Sequence, residues 1–223
     1  MTPTPRPAAL TDEMSWQRQE MVTLLRTKYQ IADERVLSVM AKLSRHRFVP
    51  AAIKSQAYKD NALPIAGGQT ISQPFIVARM TELLELSGEE KVLEIGAGSG
   101  YQTAVLASLA RKVFAIERLA ILANEATARL SELGFRNVNL KVSDGTEGWP
   151  AYMPYDAILV AAGGPSVPEP LIAQLKVGGK LVIPIGGDKK KQTLVRVTKT
   201  ETGSRREDFG PCAFVPLIGE HGW

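Results

Sequence analysis

The 223-residue sequence has few of the side chains from which metal sites and disulfides are built. Cys212 is the only cysteine, and His46 and His221 are the only histidines. A single cysteine excludes an internal disulfide and a cluster of thiolate ligands. Two separated histidines leave little material for a metal hydrolase or a serine–histidine triad. We therefore expect no bound metal and no triad chemistry.

Long hydrophobic runs are also missing, and we expect no hydrophobic leader. The longest apolar stretches, such as Tyr155–Ala162, are too short to cross a bilayer. Met1–Ala9 is rich in proline and threonine, so we predict a disordered tail over residues 1–10. The hydrophobic fraction of 44% and the charged fraction of 22% are typical of a globular protein. We expect a cytoplasmic protein that does not associate with membranes.

Aromatic residues make up only 6% of the chain, and its net charge is +4. The basic residues form short runs at Lys189–Lys191 and Arg205–Arg206. No aromatic residues alternate with these runs to stack on bases. We interpret both runs as solvated loop charges and expect no nucleic-acid partner.

Apolar residues recur with helical spacing in the first part of the chain. Val36, Val39, Met40 and Leu43 follow the i, i+3, i+4, i+7 pattern of an amphipathic helix, which Asp33 would cap. We also predict an earlier helix over Asp12–Lys28, an irregular connecting segment over Ala57–Gln73, and a helix from Pro74 to about Leu86.

From Lys91 onward, strand and helix patterns alternate. This order predicts an α/β fold, with a mostly parallel sheet, helices on both faces and an N-terminal helical cap. We expect one domain over residues 11–223, with the cap and connecting segment at 11–73 and the core at 74–223. The predicted strands are Val92–Ile95, Val113–Ile116, Val138–Val142, Ala157–Val160 and Lys180–Pro184, followed by antiparallel Thr193–Thr198 and Ala213–Leu217. The predicted helices of the core are Gln102–Ala110, Ala120–Leu133 and Glu169–Leu175.

Three short motifs follow consecutive strands, where ligands bind to sheets of this kind. The first is Glu94–Gly100, whose glycines let the backbone turn tightly and approach a ligand. The second is Glu117, a carboxylate placed to bind both hydroxyls of a ribose. The third is Asp144-Gly145, placed to face an adenine ring and its amine. Each motif alone also occurs in turns without ligands, but the three in register predict a nucleoside site.

The spacing of the glycines indicates which nucleoside binds. A dinucleotide fingerprint needs its third glycine at position 101, which is Tyr101 here. Gly96, Gly98 and Gly100 instead suit a ligand without phosphates, whose methionyl amine could meet the Glu94 carboxylate. The pattern therefore favours S-adenosylmethionine over NAD.

The connecting segment carries the most specific pattern in the chain, the string Gly68-Gln69-Thr70-Ile71-Ser72-Gln73-Pro74 after Ala57-Tyr58 and Asn61–Pro64. This segment resembles the hallmark segment of the protein-L-isoaspartate O-methyltransferase family. The resemblance extends through Arg45–Pro50, Val92–Tyr101, Asp144–Pro150, Pro154–Ile158, Gly178–Gly186 and Phe214–Leu217. The C-terminal Gly219–Trp223 has no clear counterpart in the family pattern.

The resemblance implies a Rossmann-like S-adenosylmethionine-dependent methyltransferase fold and a function. The enzyme would methylate the free α-carboxylate of L-isoaspartyl residues in damaged proteins and start their repair through a succinimide. Its partners would be isoaspartyl peptides and proteins, and it would act as a monomer. Ser72 matches the active-site serine. The cofactor set is Thr70, Ile71, Glu94, Gly96, Gly98, Gly100, Glu117, Asp144 and Gly145, and the substrate set is Ala161, Ala162, Gly163 and Val215.

Other interpretations stay open at this point. A different Rossmann-type methyltransferase could act on RNA or on a small molecule, and a silent module could bind the cofactor without catalysis. Ser72 could also serve only to cap the helix that begins near Pro74.

Overall fold

The computed structural model describes residues 14–188 and 191–223. The expected tail over residues 1–10 and most of the run at 189–191 lie outside the described residues, so neither prediction is tested there. Among the described helices, none is long and apolar enough to span a membrane.

The N-terminal part consists of two helices followed by short 3-10 turns. Helix α1 covers Ser15–Thr27 and helix α2 covers Glu34–Lys42. Asp33 caps α2 as predicted, because its side chain accepts hydrogen bonds from the backbone N–H groups of Arg35 and Val36. The 3-10 turns lie at Arg45–Phe48 and Ala51–Gln56.

The connecting segment is less irregular than expected. Strands β1 (Leu63–Pro64) and β2 (Thr70–Ile71) form an antiparallel ribbon around a 3-10 turn. Two-residue strands are too short to show an alternating pattern, which is why the sequence did not reveal them. Helix α3 begins at Pro74 as predicted but ends at Leu83, three residues early.

A seven-stranded sheet with the order β5-β4-β3-β6-β7-β8-β9 forms the core. Strands β3 to β7 are mutually parallel, and β8 and β9 are antiparallel additions, as the predicted fold class requires. The strands are β3 Lys91–Ile95, β4 Lys112–Glu117, β5 Val138–Val142, β6 Tyr155–Val160, β7 Leu175–Asp188, β8 Lys191–Thr200 and β9 Gly203–Cys212. The helices are α4 Tyr101–Ala107, α5 Ala120–Glu132 and α6 Glu169–Ala173.

Apolar side chains fill both faces of the sheet. On one face Val92, Val113 and Leu159 pack with side chains of α1 to α5. On the other face Leu93 and Ile158 pack with the residues around α6. Helices on both faces leave the carboxyl ends of the strands as the place where loops can form a site.

The last predicted strand, Ala213–Leu217, is wrong. The edge strand is Gly203–Cys212, whose residues are exposed or half-buried and mostly charged or polar, so no apolar alternation marks it. Ala213–Leu217 is an irregular segment that passes beside the residues after β6, where Gly163 and Pro216 form a single bridge.

The position of Arg205–Arg206 also differs from the expectation. Both residues lie on β9 rather than in a loop, and they pair with Glu207 and Asp208. Their charges are solvated, because both arginine side chains are at least half exposed.

Candidate active site

Two clefts open beyond the carboxyl ends of the parallel strands. The strand-end cleft, of about 130 Å³, lies over β3, β4 and β6. The Ser72 cleft, of about 350 Å³, lies between the start of α3 and the segment after β9. Thr70 and Ala161 line both clefts and a narrow space of about 30 Å³ that also borders Ser72 and Gly96–Ser99.

The glycine loop after β3 forms the floor of the strand-end cleft. Gly96 and Gly98 line it with φ values of 87° and 53°, which glycine adopts at little cost. Gly100 is placed differently, since a Cβ on it would lie 3.2 Å from Cβ of Ala126 on α5. Gly100 therefore serves the close packing of the loop against α5, and its predicted contact with the cofactor stays a prediction.

Glu117 connects the end of β4 to the glycine loop. Its Oε2 accepts a hydrogen bond from the Gly98 N–H at 2.9 Å, and its Oε1 accepts one from the Leu119 N–H at 2.9 Å. A carboxylate has about four acceptor positions, so each oxygen can accept a further bond. The buried Glu117 lines the strand-end cleft, where a pair of ribose hydroxyls would be the matching donors.

The Asp144 carboxylate is engaged by the protein itself. Oδ1 accepts from the backbone N–H and the hydroxyl of Thr146, both at 2.8 Å, and Oδ2 accepts from the Glu220 N–H at 2.8 Å. Burial raises the pKa of Asp144, but the bonds from Glu220 and Thr146 outweigh it and leave the pKa lowered. Gly145 lines the strand-end cleft, while Asp144 lies behind it and holds the C-terminal segment. The direct bond from Asp144 to an adenine amine stays a prediction.

Glu94 is completely buried in β3 beneath the glycine loop. Neither carboxylate oxygen has a hydrogen-bond partner among the described residues. Burial, with a smaller contribution from the nearby Glu117 charge, raises the pKa of Glu94 to about 8. A buried carboxyl group with this pKa is mostly uncharged at neutral pH, and a cation beside it would favour the ionised form; a methionyl ammonium above the loop would supply that cation. The residues present therefore fit S-adenosylmethionine.

Ser72 lies between β2 and α3, half-buried, on the wall of the Ser72 cleft. It does not cap α3, because Gln73 occupies the N-cap position without a side-chain bond. The Phe75 N–H in the first turn donates instead to Oδ1 of Asp60 at 3.3 Å. His46 is bonded to the Tyr58 hydroxyl through Nδ1, and it is not among the described residues that line the Ser72 cleft.

The predicted substrate residues separate into two groups. Ala161 and Val215 line both clefts, and Ala162 lines the strand-end cleft. Gly163 lines neither, since it packs against Gln192 and its carbonyl accepts from the Leu217 N–H and the Trp223 indole. Of the remaining cofactor set, Thr70 lines both clefts, and Ile71 is buried at the narrow space between them.

Sequence reasoning missed much of the cleft walls. Tyr29 and Phe75 stack with their ring centroids 4.1 Å apart on the wall of the Ser72 cleft, which Cys212 and Phe214 also line. In the strand-end cleft the missed residues are Gln69, Ile95, Ile116, Arg118, Leu119 and Pro216–Ile218. Some of them, such as Gln69 and Pro216, lie in segments that carry the family resemblance, but no local pattern shows that they line a cleft, because only the path of the chain brings them together.

The parallel sheet, the glycine loop, the ribose-type carboxylate and the buried Glu94 together define the class of protein. The glycine loop and Glu117 of the strand-end cleft suit a nucleoside, and a second cleft meets it at Thr70 and Ala161. These are the features of an S-adenosylmethionine-dependent methyltransferase.

Comparisons with known proteins identify the family. The model of the protein-L-isoaspartate(D-aspartate) O-methyltransferase family matches residues 16–222. A protein-L-isoaspartate O-methyltransferase of Syntrophus aciditrophicus is 52% identical over 217 residues, which cover 96% of this chain and 99% of that protein. One of Geobacter metallireducens is 54% identical over 207 residues, covering 92% and 95%. The chain belongs to the protein-L-isoaspartate(D-aspartate) O-methyltransferase family.

Solved structures agree with this assignment. A protein-L-isoaspartate O-methyltransferase structure aligns with a TM-score of 0.83 and 28% identity over 92% of this chain and 67% of that one. A Plasmodium falciparum structure in complex with S-adenosyl-L-homocysteine aligns with a TM-score of 0.77 over 90% and 98%, and at 24% identity it supports the fold. The predicted family, fold class, enzyme class and cofactor are confirmed.

Proposed function

We propose that this chain methylates the free α-carboxylate of L-isoaspartyl residues in damaged proteins and thereby initiates their repair. Family membership supports the reaction. The observation that carries the proposal is the junction of the two clefts, where Thr70 and Ala161 line both and Ser72 lies beside them. This arrangement brings a methyl donor in one cleft to a carboxylate in the other.

The nucleophile needs no activation by the protein. An α-carboxyl group has a pKa of about 3.5 and is ionised at neutral pH. S-adenosylmethionine supplies the methyl group on a sulfonium, so the carboxylate oxygen forms the new bond to carbon while the sulfur keeps the electron pair of the broken bond. Among the described residues that line the Ser72 cleft there is no histidine, which is consistent with this chemistry.

The Ser72 hydroxyl would hold the carboxylate in line with the methyl group. The described residues that line the Ser72 cleft include no charged side chain. An arginine or lysine would stabilise the ionised carboxylate more than the transition state, in which the opposite charges cancel, and would slow the reaction. A neutral hydroxyl donor orients the group with a smaller penalty, and orientation can contribute roughly 7–11 kcal/mol in favourable systems.

The site should discriminate isoaspartyl from aspartyl residues by geometry. In the isoaspartyl form the free carboxylate sits on Cα and the main chain continues through the extra methylene. A pocket that fixes both the carboxylate and the flanking chain cannot accommodate both forms. The methyl ester is then lost as the following amide nitrogen closes a succinimide, whose hydrolysis returns part of the material to aspartate.

A matched peptide pair tests the proposal. Two peptides that differ only in a normal or an isoaspartyl linkage are incubated with the purified chain and labelled S-adenosylmethionine at equal concentration. We expect at least about 100-fold faster ester formation on the isoaspartyl peptide, since about 1 Å of misplacement can cost that factor. Comparable rates on both peptides would contradict a repair function.

We also infer that the enzyme works as a cytoplasmic monomer on proteins rather than on nucleic acids. The ion-paired Arg205 and Arg206, without interleaved aromatic residues, support the protein preference. Light scattering at micromolar concentration checks the oligomeric state, and competition by RNA in the methylation assay checks the substrate class. A dimer mass, or inhibition by stoichiometric RNA, would contradict them.

A further inference from the structure

A buried arginine lies behind the Ser72 segment. Arg45 belongs to the motif Arg45–Pro50, to which the reaction itself assigns no role, and its side chain is completely buried. Its Nε donates to the Ala57 carbonyl at 2.7 Å, and its Nη2 donates to the Ser72 carbonyl at 2.8 Å. One guanidinium thus fixes the two ends of the connecting segment relative to each other.

The same guanidinium lies over the aromatic ring that follows the glycine loop. Cζ of Arg45 is 4.8 Å from the ring centroid of Tyr101, the first residue of α4. Tyr101 in turn meets Phe48 edge-to-face at 5.4 Å. Arg45 therefore contacts both the segment that carries Ser72 and the helix that begins at the end of the glycine loop.

A second arginine completes the contact on the cofactor side. Cζ of Arg129 lies 5.8 Å from the Phe48 ring centroid, and its Nη1 donates to the Ser99 carbonyl at 2.7 Å. The series Arg45, Tyr101, Phe48 and Arg129 thus connects the Ser72 carbonyl to the Ser99 carbonyl through buried aromatic rings.

Burying the Arg45 guanidinium costs desolvation free energy, so stability alone does not explain why this position holds an arginine. Burial lowers the pKa of Arg45 to about 10, so the side chain remains a cation at neutral pH. A buried charge often contributes less to stability than a well-packed apolar side chain of similar volume would. A forked donor is needed, however, to hold two carbonyls and cover a ring at once.

We propose that Arg45 is a positioning residue for methyl transfer. It holds the backbone of Ser72 against the first turn of α4 and so sets the distance between the Ser72 hydroxyl and the methyl donor above the glycine loop. This inference rests on the proposed role of Ser72.

Arg18 provides a matched control within the same cap. It is also buried, at 2% exposure, and its Nε donates to the Ala41 carbonyl at 2.7 Å. Its Nη1 contacts the Tyr58 hydroxyl at 3.3 Å. These bonds join α1 to the last turn of α2 and to Tyr58, and they do not involve the Ser72 carbonyl. Arg18→Lys therefore removes a buried fork of the same kind from the cap without releasing the Ser72 backbone.

The experiment compares Arg45→Lys, Arg45→Met and Arg18→Lys in the wild-type and Ser72→Ala backgrounds. Melting temperature, Kd for S-adenosylhomocysteine and kcat on an isoaspartyl peptide are measured on the same preparations. We expect Arg45→Lys to lower kcat by about 10- to 100-fold, the range for a misplacement of up to about 1 Å, with Kd changed less than about threefold. Arg18→Lys should lower the melting temperature by as much as Arg45→Lys does, while its kcat stays within about twofold of the wild-type value. Arg45→Lys keeps a cation in place should Arg45→Met fail to fold.

The Ser72→Ala background distinguishes an effect of Arg45 that acts through Ser72 from a general structural effect. Residues that act through one another are not additive, so Arg45→Lys should cost less than about threefold there. An equal loss in both backgrounds, or normal kcat in folded Arg45→Lys beside a slow Ser72→Ala, overturns the role of Arg45 alone. Normal kcat in Ser72→Ala overturns the role of Ser72 and with it this inference.

Discussion

The strand-end cleft and the Ser72 cleft share Thr70 and Ala161, yet the chemical groups that line them differ. The strand-end cleft has the buried Glu117 carboxylate on its wall, fixed by two backbone N–H groups, and the buried Glu94 beneath its floor. The described walls of the Ser72 cleft carry hydroxyl, amide, thiol and apolar groups, and a buried arginine holds the Ser72 backbone from behind.

This difference corresponds to two tasks. Directional acceptors fixed in advance give affinity for a cofactor of constant structure. A reaction between an anion and a sulfonium gains more from orientation than from charge, because the charges cancel as the bond forms. Substitutions in the two clefts should therefore change different quantities.

The largest effect is expected from Ser72→Ala. Loss of one positioned donor should lower kcat about 10²- to 10³-fold. The melting temperature should stay within about one degree, because Asp60 rather than Ser72 bonds to the first turn of α3. Steady-state rates and thermal unfolding on one preparation check this. Reduced melting temperature with kcat retained would restore the helix-cap interpretation.

Glu117→Ala should have the next largest effect, on cofactor affinity. Removing hydrogen bonds to a charged group should weaken binding of S-adenosylhomocysteine by about 1.5–3 kcal/mol in calorimetry. The exposed Glu201, in the turn between β8 and β9, offers a control, since Glu201→Ala removes a carboxylate that lines neither cleft. Equal affinities for both variants would show that Glu117 does not contact the ligand.

A smaller effect is expected from Gly100→Ala, which separates packing from binding within the glycine loop. Gly134→Ala is the matched control, because Gly134 has φ of 84° with no atom within 4 Å of an added Cβ, while Gly100 has φ of 86° and faces Ala126. The backbone penalty of about 1–2 kcal/mol is common to both. Urea unfolding should show a greater loss of unfolding free energy for Gly100→Ala than for Gly134→Ala. Equal losses would mean that α5 shifts to accept the added Cβ at no cost.

The smallest effect concerns Asp144 and pH. Burial raises the pKa of the folded Asp144 carboxyl, but the hydrogen bonds from Glu220 and Thr146 lower it by more, so the net shift is downward. The stabilisation is therefore present above the unfolded pKa of about 3.9 and is lost as pH falls through the lower folded value. The gap in unfolding free energy between wild type and Asp144→Asn should narrow below about pH 4. A gap independent of pH would show that the carboxylate charge does not hold the C-terminal segment.

The sequence predicted the strand-end cleft better than the Ser72 cleft, for a physical reason. Glycine loops and carboxylates that directly follow buried strands are local signals, and parallel topology brings their strand ends to one edge. The walls of the Ser72 cleft come from Tyr29, Phe75 and residues 211–215, which only the path of the chain brings together.

Two further features required the folded chain. The edge strand β9 escaped detection because an exposed strand has no apolar alternation. The bond between Asp144 and the Glu220 N–H depends on where the C-terminal segment runs, and that segment has no distinctive pattern.

The division between the clefts is tested most directly by one crossed measurement. Kd for S-adenosylhomocysteine and the single-turnover methylation rate at saturating S-adenosylmethionine are determined for Ser72→Ala and Glu117→Ala together. We predict that Ser72→Ala keeps its affinity and loses at least about 100-fold in rate, while Glu117→Ala loses affinity and keeps its rate within about threefold. Parallel losses of both quantities in both variants would contradict the account.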